Sequence, residues 1–108
     1  MPPGFPPGLE AALQQAQAFA ERMSRLREEV QRRTVEGSAG GGMVTAVANG
    51  KGELLSVRID PEAVKGEDIE MLQDLVTAAA NDALRKAREL LAQEVSRLAG
   101  GLNLPGLF

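Results

Sequence analysis

The chain contains no cysteine, histidine, tryptophan or tyrosine. Without cysteine there are no disulfides and no thiolate metal sites, a composition that fits a reducing compartment. Without histidine, the commonest general base at neutral pH and the commonest metal ligand are missing. Ser24, Ser38, Ser56 and Ser96 therefore have no imidazole partner that would make one of them a nucleophile. Aromatic anchors reduce to three Phe in 108 residues. A core must come from Leu, Val, Ile, Met and many Ala, which bury little area each at roughly 25 cal/mol per Å². A monomer built this way is lean, and association is expected. No apolar run approaches the roughly 20 residues that cross a bilayer. The opening MPPGFPPG has neither the basic region nor the apolar stretch of a signal peptide. The formal net charge of −3 argues mildly against a nucleic-acid partner, since basicity over the whole domain is the usual footprint of one.

What is present is regular. Residues 1–8 are rich in Pro and Gly and read as a flexible or extended tail. Leu9, Ala12, Ala16, Phe19, Met23, Leu26 and Val30 then recur at alternating spacings of three and four. This is the a/d stripe of a helix that packs on another helix. It ends at Arg32 and Arg33, where cations suit the negative end of the helix dipole. Thr34 to Ser38 reads as a short strand, and Gly40, Gly41 and Gly42 as a flexible connection.

The period then becomes two. Val44, Ala46 and Ala48 share one face, and Thr45 and Val47 the other. Asn49-Gly50-Lys51-Gly52 is a hairpin signal, because Asn and Gly tolerate positive φ. The return strand places Leu55, Val57 and Ile59 on one face and Leu54, Ser56 and Arg58 on the other. The apolar face of both strands is expected to meet the helices. Asp60-Pro61 caps and opens a turn. A second helix is expected from about Glu67 to Ala99, with acids in its first turn and Gly100-Gly101 at its stop. Residues 102–108 read as a flexible apolar tail.

The fold class is thus α+β: long helix, three-stranded antiparallel β-meander, long helix. A helix of about 25 residues is roughly 37 Å long. A strand of about seven residues is roughly 23 Å. The helices overshoot the sheet while their stripes stay apolar, so the overhang requires the other helix, a second subunit, or both. A homodimer is expected.

Motifs of catalysis are scarce. The cluster Gly37, Gly40, Gly41, Gly42 lacks the Lys-Ser/Thr pair of a P-loop and precedes a strand, so it reads as a connection. Glu67, Asp68 and Glu70 read as a dipole-favourable helix start rather than a cation site. No enzyme, cofactor or metal is expected.

The basic residues, by contrast, cluster. Arg22, Arg25, Arg27, Arg32 and Arg33 stand against only Glu28 and Glu29 in that stretch. Arg85, Lys86 and Arg88 stand against Asp82 and Glu89. One reading is a solvated helix face laced with i,i+3 and i,i+4 ion pairs. The other is a phosphate-contacting surface, which arginine suits through its planar, permanently charged fork. The scarcity of aromatics disfavours readers of single strands by stacking, and nothing resembles a helix set to read base edges.

The wording VEGSAGGGMVTAVANGKGELLSVRIDPE, followed by LQDLVTAAANDALRKARE, closely resembles the YbaB/EbfC family of bacterial nucleoid-associated proteins. The Gln-rich first helix, ALQQAQAFAERM, matches as well, and the likeness spans about Leu9 to Gly101. The start MPPGFPPG departs from the family's Met/Lys/Gln-rich opening. The resemblance implies one dimerising DNA-binding domain over residues 9–101, with two helices around a three-stranded sheet and a tweezer-like homodimer. It also implies double-stranded DNA as partner, a cytoplasmic location with the nucleoid, and a role in chromosome organisation or gene regulation. On that footing the DNA-binding candidates are Arg22, Arg25, Arg32 and Arg33 on the first helix and Arg85, Lys86 and Arg88 on the second. The competing expectation is a non-enzymatic dimeric adaptor for a protein partner in recombination or replication, carried by the tail LNLPGLF.

Overall fold

The structure is a computed structural model that describes residues 7–66 and 68–100. The start of the N-terminal tail, Glu67, Gly101 and the C-terminal tail 102–108 that carries the adaptor reading lie outside the described residues. The order of elements is α1 (Pro7–Arg32), β1 (Thr34–Ala39), β2 (Val44–Asn49), β3 (Leu54–Ile59), a 3-10 turn (Pro61–Ala63) and α2 (Ile69–Gly100). This is the helix, meander and helix that the periodicities predict. The helix boundaries shift slightly. α1 starts at Pro7, a residue suited to a first helical position because its missing N–H would have had no helical acceptor. Gly8, expected in the flexible tail, therefore belongs to the helix.

The strands form one antiparallel sheet in the order β1-β2-β3. Gly40, Gly41 and Gly42 link β1 to β2 with φ of 64°, 66° and 95°, values that a side chain would strain. In the β2–β3 hairpin the Asn49 Oδ1 accepts the N–H groups of Lys51 and Glu53 at 3.0 and 3.1 Å. Positive φ falls on Gly52 and not on Gly50. Gly50 is needed for a different reason. Its N–H donates to the Arg33 carbonyl at 3.1 Å, and a Cβ there would lie 1.9 Å from the Val30 carbonyl oxygen. The hairpin tip thus abuts the last turn of α1, over the buried Val30.

The core is made of small residues. Val44, Ala46 and Ala48 of β2 meet Ala79, Ala83 and Ala87 of α2, one residue per helical turn. Gly37 of β1 completes the contact, for a Cβ there would sit 2.2 Å from the Ala83 nitrogen. Alanine against glycine and alanine lets the helix backbone close onto the strands.

The expectation that the apolar face of β3 meets the helices is not met. All six residues of β3 are exposed. A helix about 10 Å across covers about two strands spaced ~4.8 Å apart, and α2 lies over β1 and β2. The register also shifts between Val47 and Ala48, so that Ala48 pairs with Leu54 rather than Leu55. By that register Leu54, Val57 and Ile59 follow the core-side row of β2, and Leu55 is the extra residue of the bulge.

The molecule is long and thin, 76 × 25 × 17 Å. The 32 residues of α2 account for about 48 Å of that length. Arg33, just past α1, reaches Glu94 near the far end of α2. The rest of the length is α1 projecting beyond α2, with Leu9 and Leu13 exposed.

Candidate nucleic-acid interface

The seven cations singled out by sequence fall into two groups by what already holds them. Arg22, Arg32 and Arg88 are exposed, and among the described residues none of them forms an ion pair. Arg25 has one contact, to Glu21 one turn earlier at 3.8 Å, with both side chains about 73% exposed. A pair that wet and that long contributes little and yields readily to a phosphate. These four are available to an external anion. Three of them share one side of α1, because offsets of 3, 7 and 10 residues return to neighbouring positions on a helix.

The other three are engaged. Arg33 donates to Glu94 at 3.3 Å, and Glu94 also takes Arg97 at 3.4 Å. Arg85 bridges Asp82 and Glu89 through separate Nη groups at 2.5 and 2.8 Å. Lys86 sits 3.2 Å from Asp82 and donates to the Glu36 carbonyl at 3.1 Å. Asp82 itself accepts the Ser38 N–H at 3.1 Å. That backbone bond, with the bonds from Arg85 and Lys86, holds the Asp82 carboxyl below the usual carboxylate range. Asp82 and Glu89 in turn push the Arg85 guanidinium above its already high value. Lys86 and Asp82 thus tie α2 to β1 directly, whereas Arg85 pairs within α2 and reaches β1 only through Asp82. The i,i+3 and i,i+4 spacings from Asp82 to both cations are visible in sequence. The bond to Ser38 is not, because it spans 44 positions.

Three further cations stand outside the helices, of which Lys65 pairs with Glu62 at 2.8 Å. Arg58 lies on the face of β3 away from α2, by its pairing with Thr45, and Lys51 lies at the hairpin tip. Arg58 and Lys51 are exposed, and neither has an ion-pair partner among the described residues.

The sequence profile of the YbaB/EbfC DNA-binding family matches residues 5–102. The chain belongs to this family. Its relatives agree over nearly the full length of each chain. A nucleoid-associated protein of Syntrophobacter fumaroxidans is 57% identical over 95 residues, covering 88% of this chain and 86% of that one. The nucleoid-associated protein TTE0040 of Caldanaerobacter subterraneus subsp. tengcongensis is 50% identical over 107 residues, covering 97% and 96%. Among solved structures, the uncharacterized protein HP0035 from Helicobacter pylori matches with a TM-score of 0.58 at 28% identity, over 82% of this chain and 96% of that one. The YbaB/EbfC fold of helix, three-stranded antiparallel sheet and long helix is thus the fold found here.

Proposed function

We propose that this chain binds double-stranded DNA as a homodimer, mainly through phosphate contacts, in the cytoplasm with the nucleoid, and contributes there to chromosome organisation or gene regulation. Membership of a DNA-binding family supplies the partner. The observation that carries the mode of contact is the distribution of cations on α1. Arg22 and Arg32 have no ion pair among the described residues, and Arg25 has only a weak one. All three are exposed on the outer side of the packed half of α1, whose N-terminal half continues beyond the fold. Permanently charged forks on an exposed helix face suit a backbone of phosphates, and no array of side chains among the described residues suits base edges. Arg33, Arg85, Lys86 and Arg88 are secondary contacts in this reading, the first three only after giving up part of an internal pair. The net charge of −3 keeps affinity modest and makes it depend on salt.

Binding isotherms titrated with salt on two unrelated duplexes test this. Both duplexes are expected to give nearly the same affinity, falling steeply with salt. The variant Arg22→Glu/Arg25→Glu is expected to weaken binding on both and to flatten the log–log salt slope by about four, two contacts from each chain of the dimer. Parent-like binding by this variant at low salt would overturn the assignment of the α1 face. A strong preference for one duplex would overturn the phosphate reading.

A further inference from the structure

Of the asparagines in the chain, only Asn49 is followed by glycine. Such a pair carries its own reaction. The Gly50 main-chain nitrogen, once its proton is lost to solvent, attacks the Asn49 side-chain carbon Cγ, and glycine has no Cβ to hinder the approach. The N–Cγ bond forms and the Cγ–Nδ2 bond breaks. Nδ2 takes up a proton and leaves as ammonia, and a five-membered imide remains. Water then opens the imide at either carbonyl, leaving aspartate or its β-linked isomer at that position.

Half of this reaction is prepared by the hairpin. Attack at Cγ puts negative charge on Oδ1. That oxygen already accepts the Lys51 and Glu53 N–H groups at 3.0 and 3.1 Å. Two main-chain donors aimed at a carbonyl oxygen are the arrangement that stabilises an oxyanion. The turn is fixed around them, with the Gly52 N–H on the Asn49 carbonyl and the Asn49 N–H on the Glu53 carbonyl, both at 3.0 Å. The leaving nitrogen, Nδ2, donates to the Glu53 carboxylate at 3.0 Å.

The other half is blocked, and the block comes from α1. The Gly50 N–H donates to the Arg33 carbonyl at 3.1 Å, so the proton that has to leave points into the protein. The nitrogen must also swing toward Cγ, and Gly50 is wedged against α1. A Cβ there would stand 1.9 Å from the Val30 carbonyl oxygen and 2.8 Å from Val30 Cγ1. Val30 is itself only 1% exposed, so the wall behind Gly50 is packed.

We infer that Asn49-Gly50 is a self-modifying site, held latent by the docking of the hairpin tip on the last turn of α1, and that undocking of α1 is recorded there as irreversible conversion of Asn49 to an acid. The product docks less well. Aspartate keeps the acceptor for Lys51 and Glu53 but loses the Nδ2 donor. It sets two carboxylates across the 3.0 Å that now separates Nδ2 from Glu53, and like charges that close repel. The β-linked isomer adds a carbon to the main chain and breaks the hairpin register. Neither the homodimer nor DNA binding is required for this chemistry.

Peptide mapping by mass spectrometry of the full chain, held in warm, mildly alkaline buffer, tests it. The folded parent is expected to convert at least about tenfold more slowly than the same chain in urea. Equal rates overturn the protection. Val30→Ala loosens the wall behind Gly50, whereas Ala79→Gly loosens the packing of α2 on the sheet. Val30→Ala is expected to convert faster than Ala79→Gly. Equal rates in these two variants would mean that global unfolding controls the site and would overturn the role given to α1. Should Val30→Ala fail to fold, hydrogen exchange of the parent decides. Exchange of the Gly50 amide ahead of the amides of the α2–sheet core supports local undocking, and exchange only together with that core overturns it. Asn49→Asp is expected to exchange the Gly50 amide about tenfold faster than the parent. Unchanged protection in that variant overturns the irreversibility.

Discussion

The Asp82 carboxylate accepts the Ser38 N–H and bonds to Arg85 and Lys86. The Ser38 bond is the largest cause of its lowered pKa, followed by the two cations. The folded pKa therefore lies below the unfolded value of about 3.9. A carboxylate shifted in this sense adds stability that is fully present above the unfolded pKa and is lost as pH falls through the folded one. Asp82→Asn removes the charge and leaves an acceptor for Ser38. Urea midpoints taken across a pH series are expected to show the parent more stable than this variant at neutral pH. The gap should be constant down to about pH 5 and should close as the acid range is entered. A gap that does not depend on pH would mean that packing, and not the charge, accounts for the difference.

At the scale of elements, the contact between α2 and the sheet depends on how closely two backbones can approach. Ala79, Ala83 and Ala87 present the smallest helical side chains, and Gly37 presents none. A methyl at Gly37 would meet the Ala83 nitrogen at 2.2 Å and the Ala79 carbonyl oxygen at 2.6 Å, neither of which can rotate away. Gly37→Ala is expected to lift α2 from β1 and to cost about 3 kcal/mol, the upper end for overpacking a tight core. The denaturant midpoint should fall accordingly, whereas Gly41→Ala, with open space around its Cβ, pays only for its positive φ.

Much of this level was legible in the sequence. The three-four spacing marked α1, the period of two marked β2 and β3, and Asn49 to Gly52 marked the hairpin. The purpose of Gly50 was not legible, because its neighbour in space is Val30, on another element. The exposure of β3 was not legible either. Alternation tells which residues share a face, but not how many strands one helix can roof, and the bulge at Leu54 and Leu55 shifts the phase. The arginine stripe of α1 was readable as a pattern. That Lys86 and Asp82 are tied to β1 while Arg22 and Arg32 have no such tie depends on contacts across the fold, which spacing alone does not encode.

At the scale of the whole molecule, one chain buries little. Among the described residues its fully buried side chains are Val30, Val44 and five alanines, while Leu54, Leu55, Val57, Ile59, Ile69 and Met71 stay exposed. Apolar burial is the main term that offsets chain entropy. A fold of this length that leaves its larger aliphatics in water has a small margin as a monomer. If a second copy covers β3, association supplies part of the folding free energy, and apparent stability must rise with protein concentration by mass action. A hundredfold rise in concentration adds about 2.7 kcal/mol per dimer. For two chains of this size that is expected to raise Tm by about 5–10 °C. Val57→Lys puts a charge on that strand and is expected to melt lower than the parent and at a Tm independent of concentration. Scanning calorimetry of both proteins across that range checks the coupling, and a parent Tm that stays fixed would show that each chain is stable on its own and that its exposed aliphatic strand needs no partner to fold.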